Sequence, residues 1–415
     1  MSGRNTQTGR RNPERGITLF IVAAALIVLL GMSALAIDLA TLYVARNEAQ
    51  RAADAAALAG ARTFITSSFT SGLITQATVQ TLATQDAIAI GGQNAIAGQP
   101  AQIQPSDVTF DFSAPGNPRI TVTVKRTGAS GNPVPTVFAK AMGIANADVS
   151  ATATAEAFNP SGGNLPIGTG CVKPWILPNC DPDPLHGGDP NTCQVNYVDP
   201  STGTIVNPGL YPSGTIGQPL TLKQGDPQAA AAPSQFYPIQ IPPGTEPALC
   251  PDCAQNTGSF GPGAALYSRN IACCNTNQFT CGQQVDVQLQ TGNMVGPTRL
   301  GVQCLTHQLS NGTGQDSLDT TTVPFNIIGG TNNPNPLLQT QIITSSDSIV
   351  TIPLYDGHDL CPGGSCGSTV TIVGFLQVFI NSVGPPQATV NSTILNIAGC
   401  GAGGSGGGSG STKAR

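Results

Sequence analysis

The 415-residue sequence has few charged and few aromatic side chains: 9% of its residues are charged and 5% are aromatic. No cluster of lysine and arginine occurs beyond Arg15, and the remainder is acidic, which excludes a typical nucleic-acid-binding surface. The His-Glu-x-x-His motif of common metallohydrolases and the P-loop motif of nucleotide-binding proteins are both missing. The sequence therefore predicts no catalytic residue, no cofactor and no enzymatic activity.

The most informative feature is a run of 22 uncharged residues from Gly16 to Ile37. At about 1.5 Å per residue, a helix of this length spans a bilayer, so Gly16, Ile17 and Ile37 mark a predicted membrane anchor. Four arginines and one glutamate precede the run, out of 17 basic and 22 acidic residues in the chain. Because positive flanks stay in the cytoplasm, we expect a cytoplasmic basic tail at 1–15, a single pass through a bacterial inner membrane, and an exported C-terminal bulk.

A cleavable signal peptide is the alternative for the same segment. Ala34-Leu35-Ala36 provides a small-x-small cleavage site before Ile37. The apolar run is longer than the usual core of a signal peptide, however, and helix-forming sequence continues through the site. Both interpretations place residues 38–415 outside the cytoplasm.

An alanine-rich stretch follows the run and predicts a continuation of the same helix, because alanine is the strongest helix former. On a helical wheel its small side chains share one face. That face consists of Ala45, Ala49, Ala52, Ala56, Ala59 and Gly60. Since small residues let helix backbones approach closely, we expect this face to pack against another subunit's helix or against the chain's own exported part.

Several blocks of this region resemble one protein family. Glu14-Arg15-Gly16 before the run, Ala36-Ile37-Asp38 at its end, and residues 42–46 and 52–61 after it are similar to the N-terminal region of TadG-like Flp pilus-assembly proteins. The resemblance implies a cell-envelope component of the tight-adherence (Tad) system, which builds Flp pili for surface attachment. It also implies the lipid bilayer and other Tad membrane proteins as partners.

The resemblance is looser downstream, at residues 236–239, 292–298, 352–356 and 373–375. Two related patterns are missing. Pilins carry a glutamate five residues after their cleavage glycine, whereas Ile21 stands at that distance from Gly16, which argues against a structural pilus subunit. The Asp-x-Ser-x-Ser run of von Willebrand factor A domains, found in some TadG-like proteins, is also absent.

The sequence predicts an α+β fold with a β-rich exported body, because it contains 50 glycines and 34 prolines. Within 38–160 we expect the alanine-rich helix and a small pilin-like α/β unit, with helices at 75–90 and 134–142 and strands at 108–112, 120–124 and 149–158. A β-rich domain should follow at 161–398, with Trp175 as a core anchor and an apolar strand at 370–380. Residues 399–415 read as a disordered Gly/Ser tail.

Twelve cysteines in an exported, loop-rich domain predict a disulfide framework whose full connectivity the sequence leaves open. They are Cys171, Cys180, Cys193, Cys250, Cys253, Cys273, Cys274, Cys281, Cys304, Cys361, Cys366 and Cys400. We expect the adjacent Cys273 and Cys274 to join two different places. Cys361 with Cys366, and Cys250 with Cys253, are candidate pairs that would close short loops. A zinc site on Cys250, Cys253 and the 273–281 cluster is the alternative.

A weak candidate for a divalent metal is the loop that holds Asp181, Asp183, His186 and Asp189. Carboxylates at alternating positions suit calcium, but the EF-hand pattern is absent, and Asp-Pro pairs are ordinary turn formers. The sequence thus favours a membrane-anchored, non-enzymatic component of Tad/Flp pilus assembly. A secreted or surface-exposed adhesin or ligand-binding module is the second hypothesis, and an exported metal-dependent hydrolase using His186 or His358 is the third.

Overall fold

The structure is a computed structural model of the chain. It describes residues 14–113, 117–157, 169–226, 229–241, 264–287, 294–357, 360, 367, 369–384 and 388–400. The polypeptide forms two compact units. The N-terminal unit comprises Met1–Ala56, Ile88–Val108 and Val122–Ala153, and the β-rich unit comprises Ala57–Ala87, Thr109–Thr121 and Thr154–Arg415. The sequence-based domain limits, including the boundary near residue 160, stay predictions.

Helix α1 runs from Glu14 to Thr66, 53 residues without a break. At about 1.5 Å per residue it is roughly 80 Å long, far more than one bilayer requires. No proline interrupts it, and alanine dominates its second half. The hydroxyls of Ser33 and Thr41 donate to the carbonyl oxygens of Leu29 and Ile37, each at 2.9 Å, so these polar groups are satisfied inside the helix.

A second helix and a small sheet follow. Helix α2 spans Gln76–Gly91, and the short strands β1 (Ala95–Ile96) and β2 (Gln99–Pro100) form an antiparallel pair after it. Strands β3 (Val108–Asp111), β4 (Arg119–Arg126) and β7 (Val149–Glu156) form a sheet in the order β3-β4-β7. Alternate residues of β4 and β7 are buried, as expected for strands with one covered face.

The predicted helix at 134–142 is wrong. Strand β5 (Val134–Pro135) pairs with β6 (Asn146–Ala147), and only a 3-10 turn at Ala139–Met142 lies between them. Proline pushes the residue before it into an extended conformation, so Val134 cannot begin a helix. We call residues 134–147 the β5–β6 hairpin.

A ring of strands organises the β-rich unit. The sheet order is β11-β16-β15-β8-β10-β9-β17, and β16 also pairs with β17, which closes six of the seven strands into a ring. The strands are β8 (Trp175–Pro178), β9 (Pro219–Gln224), β10 (Gln235–Pro238), β11 (Gln284–Asp286), β15 (Ile349–Tyr355), β16 (Thr369–Gly384) and β17 (Thr389–Gly399). A separate three-stranded sheet contains β12 (Ser317–Asp319), β13 (Asn326–Ile328) and β14 (Ile342–Ile343).

Two helices pack closely beside the ring. Helix α3 spans Ala264–Ala272 and α4 spans Val295–Leu305. A Cβ atom added to Gly301 would lie 2.7 Å from the carbonyl oxygen of Ser268 and 2.8 Å from Cβ of Ile271, so only glycine permits this approach. Trp175 is fully buried, as predicted, and its indole N–H donates to the Tyr267 hydroxyl at 2.7 Å.

Three disulfides link distant parts of the β-rich unit. They join Cys171 to Cys274, Cys180 to Cys193, and Cys281 to Cys400, across 103, 13 and 119 residues of sequence. Cys273 and Cys304 are disulfide-bonded as well. Closing a loop of about 100 residues removes roughly 4–5 kcal/mol of unfolded-state entropy in the chain-entropy description. The predicted disulfide framework is confirmed for these residues, whereas Cys250, Cys253, Cys361 and Cys366 lie outside the described residues.

Candidate functional site: the N-terminal helix

The first half of α1 is an apolar rod without a protein partner among the described residues around it. From residue 17 to residue 37 every side chain is exposed except Gly31 and Ala34, which are half-buried. Ile17 and Ile37, the predicted ends of the anchor, are 63% and 51% exposed. Gly16 also lies in α1. Within the described part of the chain this is the one helix long and apolar enough to cross a membrane.

The second half of α1 buries its alanine face within the chain. Ala45, Ala49, Ala52 and Ala56 are at most 1% exposed, Ala59 is half-buried and Gly60 is buried. A Cβ atom added to Gly91 at the end of α2 would lie 3.0 Å from Cβ of Ala56. This distance shows that the two helix backbones approach as closely as small residues allow. The chain's own residues thus cover this face.

Asp38 joins the two halves and is a residue whose role the sequence analysis missed. Its carboxylate is 4% exposed and accepts backbone N–H groups from Val137 at 2.9 Å, Phe138 at 3.0 Å and Ala139 at 2.6 Å. Three donors satisfy a buried carboxylate, which would otherwise be costly to remove from water. The signal in the sequence was an acidic residue directly after the uncharged run.

Two further contacts fasten α1 within the N-terminal unit. The carboxylate of Glu48 accepts the backbone N–H of Ala97 at 2.7 Å, in the turn between β1 and β2, where Ala97 has a positive φ of 47°. The amide of Gln50 donates to the carbonyl oxygen of Thr152 in β7 at 3.4 Å. The polar side chains on either side of the alanine face thus hold strands against the helix.

The weak candidates for metal ligands, in the loop from Asp181 to Asp189, form hydrogen bonds within the protein. Asp181 accepts from Gln218 at 2.8 Å and lies 2.7 Å from Nδ1 of His186, whose Nε2 lies 3.1 Å from the carbonyl oxygen of Pro212. Asp183 and Asp189 each accept a backbone N–H two residues ahead. In the described residues no group of three or more metal-ligating side chains is present.

The zinc alternative does not fit the cysteines that the structure describes. Cys274 and Cys281 are joined to Cys171 and Cys400, and Cys273 is also in a disulfide. Zinc needs thiolates, and a disulfide sulfur provides none. The other half of that candidate site, Cys250 and Cys253, lies outside the described residues, as does His358.

Comparison with known protein families gives one match, at the helix. Residues 16–63 match the Tad family model, described as "Putative Flp pilus-assembly TadE/G-like". The comparisons with curated proteins and with solved structures gave no match. The matched range lies inside α1 and includes both the exposed apolar half and the whole alanine face. The predicted resemblance is confirmed for this segment: residues 16–63 are similar to the TadE/G-like Flp pilus-assembly family.

Proposed function

We propose that the protein is a membrane-anchored, non-enzymatic cell-envelope component of Tad/Flp pilus assembly. The observation that carries this proposal is the agreement between the Tad match at 16–63 and the two contrasting halves of α1. The apolar half needs a lipid environment, because 13 large hydrophobic side chains between Ile17 and Ile37 are exposed and their contact with water would be very unfavourable. The alanine half ties that anchor to the rest of the chain.

The orientation follows from charge. The arginines at positions 4, 10, 11 and 15 precede the span, and the residues after it are acidic on balance. The positive-inside rule therefore puts the N-terminus in the cytoplasm and the disulfide-bonded β-rich unit outside it, in a bacterial envelope. An oxidising compartment on that side agrees with the disulfides.

The partners we propose are other membrane proteins of the Tad machinery. Because the alanine face is covered by the chain itself, a partner would use the remaining surface of α1. That surface includes the exposed side chains of Arg46 and Arg51 and the lipid-facing half. Neighbouring helices in a membrane associate through close van der Waals packing and hydrogen bonds, because lipid tails are as apolar as the helices and leave no hydrophobic driving force between them.

The test is affinity purification of the full-length protein, tagged at its C-terminus, from gently solubilised native membranes. Mass spectrometry would identify both the co-purifying proteins and the N-terminal peptides of the bait. We expect Tad proteins together with an intact 16–37 segment. A bait that begins near Ile37 and brings down no Tad protein would overturn the proposal.

A matched pair of variants separates anchoring from general damage. Leu26→Arg with Leu29→Arg places two charges in the span, at a cost of about 2.5–3.5 kcal/mol each near the bilayer centre. Leu337→Arg changes an equally apolar side chain that is 84% exposed in the β-rich unit. We expect the double variant to leave the membrane fraction and Leu337→Arg to stay in it. Equal membrane retention of both variants would contradict the anchor.

A further inference from the structure

The β5–β6 hairpin presents a cluster of exposed apolar side chains. Val137 is 63% exposed, Phe138 41%, Met142 69% and Ile144 58%. Every residue from 140 to 146 is exposed. Apolar side chains concentrated at the tip of a short hairpin are unusual for a surface in contact only with water.

The hairpin is held at a defined level along α1. Asp38 follows the uncharged run directly, and its carboxylate binds the backbone N–H groups of residues 137–139 at 2.6–3.0 Å. On the other side, the buried Arg126 guanidinium donates to the carbonyl oxygens of Asn132 at 2.8 Å and Pro133 at 3.2 Å. Residues 137–139 of the hairpin therefore lie at the same height as the end of the apolar span.

We infer that the β5–β6 hairpin is a membrane-contact element that inserts Phe138 and its apolar neighbours into the headgroup layer of the outer leaflet beside α1. The inference rests on the proposed membrane anchor. The hairpin contacts the lipid surface, because its apolar side chains adjoin the point where the anchor leaves the bilayer. The exposed Lys140 next to these residues suits anionic headgroups, and Tyr43, which is 69% exposed one turn beyond Asp38, suits the same interface.

The contact has a physical consequence for the protein. A single helix can tilt and slide in a bilayer, because its hydrophobic length sets neither angle nor depth. A second lipid contact at the end of the span, fixed to the helix through Asp38, restricts both movements of the N-terminal unit. The hairpin would thus orient that unit on the membrane.

The experiment uses tryptophan fluorescence of the full-length protein in liposomes. The lipids are phosphatidylcholine and phosphatidylglycerol, either without bromine or with bromine near the headgroup end or near the methyl end of the acyl chains. Because bromine quenches only nearby indoles, the first position reports on the headgroup layer and the second on the bilayer centre, where Leu26 is expected. Three variants are compared, Phe138→Trp, Ile90→Trp and Leu26→Trp, and each keeps the buried Trp175 as a common background.

Ile90 is the matched control for Phe138. It belongs to the same unit and is 40% exposed, against 41% for Phe138. Its neighbour Gly91 packs against Ala56, which lies about 27 Å farther along α1 than Asp38 at about 1.5 Å per residue. A tryptophan at position 90 should therefore be beyond the reach of the lipid.

We expect brominated lipid to reduce the emission of Leu26→Trp and Phe138→Trp, and to leave Ile90→Trp at the level of the unsubstituted protein. If Leu26→Trp is quenched but Phe138→Trp behaves like Ile90→Trp, the hairpin does not touch lipid and its apolar tip belongs to a protein contact. If Leu26→Trp is not quenched, the anchor itself fails and the hairpin inference fails with it.

Discussion

The alanine face of α1 and the ring of strands are both buried, but the first buries small side chains and the second buries large ones. On α1 the buried face is alanine, with Ala49, Ala52 and Ala56 all fully inaccessible. In the ring of strands the buried residues are large, including Trp175 and Phe375 at 0–1% exposure. Alanine lets a backbone come close, whereas a sheet needs large side chains to fill the space between its layers.

The difference shows which kind of change each region should tolerate. The alanine face has no room for a larger side chain, so substitutions that enlarge a side chain should destabilise it. The ring contains large side chains whose removal leaves a cavity, so substitutions that shorten a side chain should destabilise it. Four predictions test this contrast.

The largest effect is expected from Phe375→Ala in β16. Phe375 is 1% exposed and packs in a cluster with Tyr237 and Tyr355. Removing its ring should lower the free energy of unfolding by about 3–5 kcal/mol through lost burial and an unfilled cavity. Urea titration in detergent micelles, followed by Trp175 fluorescence, measures this loss. Phe375→Leu should lose clearly less, and equal losses for the two variants would contradict a cavity.

Ala52→Leu tests the opposite rule on α1. The added side chain has no space on a fully buried face, and overpacking of this kind costs about 1–3 kcal/mol. Faster hydrogen exchange of the α1 amides between residues 45 and 56 would report the loss. Arg51→Leu introduces the same side chain at the preceding position, which is exposed, and should leave the exchange unchanged. Protection that is equal in both variants would show that the alanine face is not tightly packed.

A buried cation in the β-rich unit gives a prediction for pH. Lys173 is 4% exposed, and its ammonium donates to the carbonyl oxygen of Cys273 at 3.0 Å. Burial lowers the pKa of Lys173 from 10.5 to about 7, against the opposing attraction of Asp347. Between these two values the unfolded chain binds a proton that the folded chain has released. Stability from this group is therefore gained as pH rises above 7, at up to about 1.4 kcal/mol per pH unit.

Lys173→Met removes this proton uptake. Urea titrations at pH 7, 8 and 9 should show a flatter dependence of the unfolding free energy on pH in the variant than in the unsubstituted protein. The same slope in both proteins would mean that Lys173 keeps its proton when folded. A buried lysine just before β8 thus makes stability depend on pH, whereas the alanine face of α1 buries no titratable side chain.

The smallest effect is expected from Leu29→Ala in the exposed half of α1. Leu29 is 60% exposed within the chain, so its truncation should change the unfolding free energy of the β-rich unit by less than about 0.5 kcal/mol. The urea titration used for Phe375→Ala measures it directly. A loss near that of Phe375→Ala would mean that this leucine contacts protein rather than lipid.

The sequence was informative where local patterns decide the structure. The 22-residue apolar run and the alanine repeat predict a long helix, and α1 extends from Glu14 to Thr66. Alternation predicts strands close to β3, β4 and β7. The helix predicted at 134–142 failed because Pro135 keeps Val134 extended, and because Asp38, about 100 residues away, binds the N–H groups of residues 137–139.

Long-range features of the site were beyond sequence reasoning. Nothing local shows that Cys281 meets Cys400, because pairing depends on how β11 and β17 both reach β16. The adjacent Cys273 and Cys274 were correctly expected to lead to different places, since adjacent cysteines rarely bond to each other. The membrane-level position of the β5–β6 hairpin likewise depends on Asp38 and Arg126, each of which is an ordinary charged residue in the sequence.

The two long disulfides give the β-rich unit a mechanical property. A pull applied between the anchor and the C-terminal end cannot extend the 103-residue segment closed by Cys171 and Cys274, or the 119-residue segment closed by Cys281 and Cys400. At about 3.3 Å per residue, each of these segments would otherwise lengthen the chain by roughly 340–390 Å. Under load these two segments therefore stay closed, and force passes only along the parts of the chain that lie outside the two disulfide loops.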